Sequence, residues 1–159
     1  MSLRIYRREK QWQGDRVIEC RAVHVYDGDG FLAAGYGANF MLRLWGIDAP
    51  EWGQDSFLES RNALHALVSG RPLWSTVICV DWYGRRVCRV RTAAGIDVGL
   101  AMVRSGWAWW YRSFASHDPE LKGAETEARA GLSGLWASAG AERPWSYRRR
   151  SVRIISHPR

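Results

Sequence analysis

Lysine is almost missing from this chain: of its 23 basic residues, only Lys10 and Lys122 are lysine and the rest are arginine. The planar arginine fork pairs with phosphate oxygens two at a time, although coding bias produces the same imbalance. Cysteine is scarce as well. Cys20, Cys79 and Cys88 are an odd number, which argues against a disulfide framework, and no CxxC pair or Cys/His cluster offers zinc a site. Each lies among apolar or β-branched neighbours and reads as a small hydrophobe on a strand. No apolar run approaches the roughly 20 residues needed to span a bilayer, so no membrane role is expected. The first 16 residues are charged throughout and lack an apolar segment of the signal-peptide type. That points to the cytoplasm, unless a leader was trimmed.

What is present fits one domain with one core. The chain has 159 residues, 47% of them hydrophobic. A monomer is expected. The net charge of +7 is unevenly spread: Arg143 to Arg159 holds six arginines and no carboxylate side chain. Without them the body is close to neutral. The natural division is a loose arm over 1–14, a folded domain over 15–142 and an Arg-rich tail over 143–159. Such a tail is either a solvated terminus or a phosphate-attracting element, with Arg148, Arg149 and Arg150 the candidates for contact. Tryptophan is abundant. Trp45, Trp74, Trp107 and Trp136 sit in apolar patterns and are assigned to the core, whereas Trp82, Trp109 and Trp110 follow no such pattern.

Apolar and polar residues alternate from Arg16 to Val25, which predicts a strand. Tyr26-Asp27-Gly28-Asp29-Gly30 reads as a turn, Phe31 to Ala34 as a second strand, Gly35 to Asn39 as another turn, and Phe40 to Trp45 as a third strand. A helix follows, with Asp55 or Ser56 as its cap and Gly70 as its stop. Leu73 to Val80 and Arg86 to Thr92 form two more strands around the turn Asp81 to Arg85. A short helix spans Val98 to Ser105. Another starts at Asp118 with Pro119 in its first turn and buries Leu121, Ala124, Ala128, Leu132 and Leu135. The fold class is α+β: a five-stranded OB-fold-type barrel with three helices.

Three turns carry chemistry. Asp27-Gly28-Asp29 can aim two carboxylates at one hard cation, or it is an ordinary turn. In Arg43-Leu44-Trp45-Gly46-Ile47-Asp48-Ala49-Pro50-Glu51, an arginine lies in an apolar strand, where it needs a partner, and two acids follow at the strand end. A surface salt bridge at a strand end is the plainer account. Asp81-Trp82-Tyr83-Gly84-Arg85 alone is a hairpin turn. His24, His65 and His117 belong to no motif and are assigned to structure.

Together, DGD, RLWGIDAPE and DWYGRR in this order resemble the staphylococcal nuclease family. VGLAMVRSGWA from Val98, Gly134-Leu135-Trp136 and Pro144-Trp145-Ser146-Tyr147-Arg148-Arg149 agree, so the resemblance covers Val17 to Arg149. It implies a calcium-dependent phosphodiesterase acting on DNA, RNA or both and leaving 3′-phosphate ends. Asp29 and Asp48 match side-chain calcium ligands, Ala49 the position that binds the ion through its backbone carbonyl, and Asp27 an outer-shell residue acting through water. Glu51 matches the general base, Arg43 and Arg85 the arginines that grip the scissile phosphate, and Tyr83 a residue near the nucleotide's phosphate. The family suggests nucleotide-stacking aromatics in the region of Trp109, Trp110 and Tyr111. Ordinary packing is the alternative for each. Gly30 departs from the family, which has threonine after DGD, so a hydroxyl beside the metal loop is lost. The competing readings are a catalytically weak nucleic-acid or protein binding module and an appendage of a larger machine docked through its tail. All five of Asp29, Asp48, Glu51, Arg43 and Arg85 are present, which favours the enzyme.

Overall fold

Three hairpins and one parallel closure build the barrel. A computed structural model describes residues 17–155, with side chains to Ser151. The N-terminal arm, 1–14, and the end of the tail lie outside the described residues. Strand β1 (Val17–Val25) pairs antiparallel with β2 (Gly30–Gly35), and β2 pairs with β3 (Ala38–Leu44). Only Tyr36 and Gly37 separate β2 from β3, both at positive φ (51° and 74°), as a tight two-residue hairpin with right-twisted strands requires. The predicted turn over Gly35 to Asn39 is thus shorter than expected, and the ladder extends to Gly35 opposite Ala38.

After the two-residue strand β4 (Ile47–Asp48) comes helix α1 (Phe57–Val68). The predicted cap is only half right: Ser56 holds the cap position, but it is left-handed and its side chain caps nothing. Strands β5 (Leu73–Val80) and β6 (Arg86–Thr92) form the third hairpin. The barrel closes because β6 runs parallel to β3, with Arg43 opposite Val87, while β5 pairs with β1. Phe31, Leu42, Leu44, Leu73 and Val90 fill its interior, and α1 contributes Leu64 and Val68. Cys20 and Cys88 are buried on barrel strands and Cys79 half-buried, all three as free thiols. Burial pushes Cys88 up to about 12.

Helix α2 (Val98–Arg104) packs on α4 (Pro119–Ala130), with the two-residue strand β7 (Trp109–Trp110) and the short helix α3 (Arg112–Ala115) between them. Asp97 and Asp118 cap α2 and α4 by accepting from Leu100 and Leu121 N–H. Arg89 on β6 bonds Asp118 at 2.5 Å and lies over the Trp45 ring, which ties the barrel to the capped end of α4. Leu132 corrects an expectation. Helix α4 ends at Ala130, Leu132 turns left-handed (φ 49°) and its side chain is exposed, while Leu135 returns to the interior on a 3-10 turn over Gly134–Ala137.

The segment read as a tail contains a fifth helix, α5 (Pro144–Ile155), so the described residues carry more helices than the three expected. The tryptophans divide differently from the pattern. Trp45, Trp74, Trp107 and Trp136 are half-buried, Trp45 and Trp107 packing against the core; of the three that followed no pattern, Trp109 and Trp110 are buried and Trp82 is exposed. No helix among the described residues is long and apolar enough to cross a membrane.

Candidate active site

The end of the barrel where β2 begins and β3 ends collects the acidic turn. Asp27 Oδ1 accepts the backbone N–H of Asp29 at 3.1 Å, and Tyr26 N–H donates to Gly30 C=O, which closes the loop. Gly28 is required by space. A Cβ there would lie 1.8 Å from Ser60 Oγ and 2.8 Å from Ala49 Cβ. Ser60 is itself fixed, donating to Trp107 C=O at 2.6 Å, so α1 presses directly on the DGD backbone.

Arg43 draws the two acidic segments together. Its terminal nitrogens donate to Asp29 Oδ1 at 2.8 Å, to Asp48 Oδ1 at 3.0 Å and to Ile47 C=O at 3.3 Å. Asp48 is delivered by β4, whose partner is β7: Asp48 stands opposite Trp109 and Ile47 opposite Trp110. Asp29 Oδ2 accepts the Ala49 N–H at 2.9 Å, which orients the peptide following Asp48. Glu51 lies just beyond Pro50. Its backbone N–H donates to Gln54 Oε1 at 2.8 Å and its carboxylate is partly exposed.

The electrostatics follow from burial. Asp29 is held well above the usual carboxylate range: burial is the largest cause and prevails over the opposing Arg43, while Asp27 and Asp48 add to the rise and the Ala49 N–H opposes it. Burial opposes charge on Arg43, but Asp29 and Asp48 together raise its pKa above its ordinary value, so it stays charged.

A second guanidinium, from α5, enters the same place. Arg148 donates to both oxygens of Asp48, at 2.7 and 3.2 Å, and contacts Glu51 Oε1. Sequence reasoning placed Arg148 in a solvated or phosphate-seeking tail. The structure gives it carboxylate partners instead, and no spacing signal linked it to residues about one hundred positions away. Arg149 and Arg150 are exposed, with Arg150 paired to Glu142 at 3.0 Å.

The third motif is separate. Asp81 Oδ1 accepts the N–H groups of Tyr83 and Arg85, and its Oδ2 pairs with Arg85 Nε at 2.6 Å. Asp81 therefore both builds the turn and orients the arginine. Tyr83 is exposed beside Arg85, whose guanidinium lies 5.4 Å from the ring centre. Arg85 bonds to its own turn, not to the Asp29–Arg43–Asp48 group.

The aromatic run resolves into different roles. Trp109 and Trp110 do not offer a face for stacking. Trp109 is wedged edge-on against Trp136 (4.3 Å between centroids), and Trp110 donates its indole N–H to Ala115 C=O at 2.9 Å. Tyr111 is half-buried and leans on Trp145 of α5, 5.2 Å away. An aromatic that sequence reasoning passed over, Trp52, is 79% exposed directly after Glu51. Its ring edge packs on Phe57 and its carbonyl accepts the Tyr147 hydroxyl.

Whether a hard cation suits this pocket turns on its donors. They are all oxygen, the kind calcium prefers. Among the described residues, Asp27, Asp29, Asp48 and Glu51 lie beside Arg43 and Arg148, so four carboxyl groups meet two guanidinium groups, a formal surplus of two negative charges when all four are ionised. That surplus suits a divalent ion. As the side chains stand, no three acidic, histidine or cysteine groups among the described residues are gathered closely enough to hold one. Arg43 and Arg148 occupy the converging oxygens.

A closed five-stranded barrel whose helix follows the third barrel strand, carrying this acid–arginine pocket at one end, is an OB-fold-type architecture of the nuclease-like kind. The sequence profile of the staphylococcal nuclease homologues matches residues 41–138, and the chain belongs to that family. A protein of Escherichia coli O157:H7 described as an uncharacterized endonuclease is 37% identical over 133 residues, spanning 84% of this chain and 86% of that one. A probable staphylococcal-like nuclease of rice (CAN3, Oryza sativa subsp. japonica) is 35% identical over 86% of this chain, which spans 33% of its length. The staphylococcal-like nuclease CAN1 of Arabidopsis thaliana is 32% identical over 94% of this chain and 48% of its own length.

Proposed function

We propose that this protein is a calcium-dependent nuclease that hydrolyses phosphodiester bonds of DNA, RNA or both, leaving 3′-phosphate ends. One observation carries the reading: Arg43 holds Asp29 and Asp48 together next to Glu51, in a pocket where carboxyl groups outnumber guanidinium groups. Asp29, Asp48 and the carbonyl of Ala49 would hold the ion, with Asp27 behind them through water. The bound ion supplies positive charge at the phosphate as it becomes pentacoordinate. Glu51, partly open to solvent, accepts the proton of the attacking water. Arg43 and Arg85 supply forked donors to the phosphate oxygens as their charge grows. To reach a phosphate Arg85 would exchange its 2.6 Å pair with Asp81 Oδ2, and the turn backbone stays held by Asp81 Oδ1 when it does. Exposed Tyr83 lies beside it for the nucleotide, half-buried Tyr111 is the stacking candidate that remains accessible, and Arg149 and Arg150 extend the positive surface.

Incubating the full chain with single- and double-stranded DNA and RNA, in calcium and in chelator, tests this. Cleavage in calcium with 3′-phosphate ends, and none in chelator, is the expected result. Equal cleavage in chelator refutes the ion's role, and no cleavage of any substrate refutes the enzyme.

A further inference from the structure

The two arginines in the pocket are held very differently. Arg43 rises from a barrel strand, its side chain is 17% exposed, and it has three acceptors on two segments. Arg148 comes from the outermost helix and its side chain is 40% exposed. Asp48 has no exposed side-chain surface, and Arg148 is bonded to both of its oxygens. An ion that uses Asp48 must therefore take an oxygen that Arg148 now holds. The same guanidinium touches Glu51, the group proposed as base.

Helix α5 reaches this position through contacts that all involve the segment around Glu51 or the aromatic floor. Gln54 donates to Glu142 C=O at 3.0 Å, Tyr147 hydroxyl to Trp52 C=O at 3.3 Å, and Trp145 lies against Tyr111. Trp145 also meets the edge of the buried Trp109, which anchors the start of α5, so past Trp145, among the described residues, the helix is held beside its ion pairs by the single neutral Tyr147 bond, weak enough to open locally.

We propose that Arg148 is a resident counter-ion of the carboxylate site, displaced from Asp48 and Glu51 when a divalent cation binds, so that ion loading releases helix α5 from the Glu51 segment. This rests on the calcium reading above. The exchange conserves the logic of the pocket: an internal positive charge keeps Asp48 and Glu51 together without the ion, and leaves when a stronger charge arrives. Linkage makes the coupling reciprocal. If calcium loosens Arg148, then removing Arg148 must tighten calcium by the same factor.

Titration calorimetry with calcium chloride on the full chain, without nucleic acid, tests it. The proteins are the wild type, Arg148→Ala, Arg148→Lys and a charge control, Arg104→Ala, whose partner Glu127 is on the surface away from the pocket. Arg148→Ala is expected to bind calcium roughly fivefold to tenfold more tightly than Arg104→Ala. Arg148→Lys should fall between wild type and alanine, since lysine keeps the charge but loses the fork. Hydrogen exchange over 144–155 gives a second readout on the wild type alone, which stays decisive if the alanine variant folds poorly: saturating calcium should raise it. Equal calcium affinity in the two alanine variants, or α5 exchange unchanged by calcium, overturns the proposal while the calcium reading stands. Absence of calcium binding by every variant overturns both.

Discussion

The guanidinium of Arg43 meets the carboxylate of Asp29 at 2.8 Å, across a ladder in which Arg43 stands opposite Gly30. The pair is nearly buried, and the other arm of the fork goes on to Asp48 at 3.0 Å. Lysine keeps the charge but reaches one carboxylate at a time. Arg43→Lys is therefore expected to cost stability, about 1–3 kcal/mol, as well as turnover. Thermal unfolding and single-turnover cleavage measure the two. A variant as stable and as active as wild type would make Arg43 an ordinary strand residue.

Arg85→Lys should separate those effects. The turn that carries Arg85 is held by backbone bonds to Asp81 Oδ1, which lysine leaves in place. Cleavage should fall at least tenfold, about 1.4 kcal/mol of transition-state binding, while the melting temperature barely moves. Loss of both together would assign Arg85 to the fold.

Glu51→Gln should bind nucleic acid and remain folded but lose about 10²- to 10⁴-fold in rate, the range that general base catalysis contributes. Gln54 fixes the Glu51 backbone rather than its side chain, and glutamine keeps an oxygen that can accept from Arg148, so the fold is expected to hold. Wild-type rates in this variant would remove Glu51 from the base role.

Gly30→Thr should fold, because Gly30 is not among the positive-φ glycines. The tight point is elsewhere: a Cβ at residue 30 would lie 3.2 Å from Asp27 Oδ1. Asp27 must shift by a few tenths of an ångström, and the new hydroxyl is then within reach of that loop. Calcium affinity should rise or hold, and activity should persist. Markedly weaker calcium binding would show that Asp27 cannot give way and that its present position matters to the ion.

Deleting residues 146–159 removes five arginines together with most of α5. If these contact phosphates, the salt dependence of single-strand binding should flatten by about 0.7 log units per lost contact. An unchanged slope would mean that this segment does not touch the substrate. Binding isotherms at several salt concentrations decide it.

The barrel was legible because its strands announce themselves locally. Leu73–Val80 and Arg86–Thr92 have the bounds expected from alternation around the Asp81 to Arg85 turn, and α2 and α4 start at the capping aspartates the sequence displays. Strands β4 and β7 were not legible. Each is two residues long, too short for any period, and each exists only because the other is there, with Asp48 opposite Trp109. The choice between stacking and packing for Trp109 and Trp110 was open for the same reason: a run of aromatics does not show in sequence that a partner strand and neighbouring elements bury it. Helix α5 was read as a tail since the six arginines of 143–159, four of them in the helix itself, masked the few apolar side chains that dock it.

By itself the sequence determined the order of the barrel elements, the barrel class, the family, and the acids and Arg43 that the pocket gathers, since turn chemistry and strand alternation are local properties of the chain. Tertiary structure alone decided which charges meet. Arg43 joins Asp29 to Asp48 only because β2 and β3 lie in one register and β4 is pulled in by β7. Arg148 reaches Asp48 and Glu51 only because α5 folds back over the loop after Pro50. Coulomb interactions depend on distance in space and on exclusion from water, and neither quantity is written in the spacing of residues along a chain.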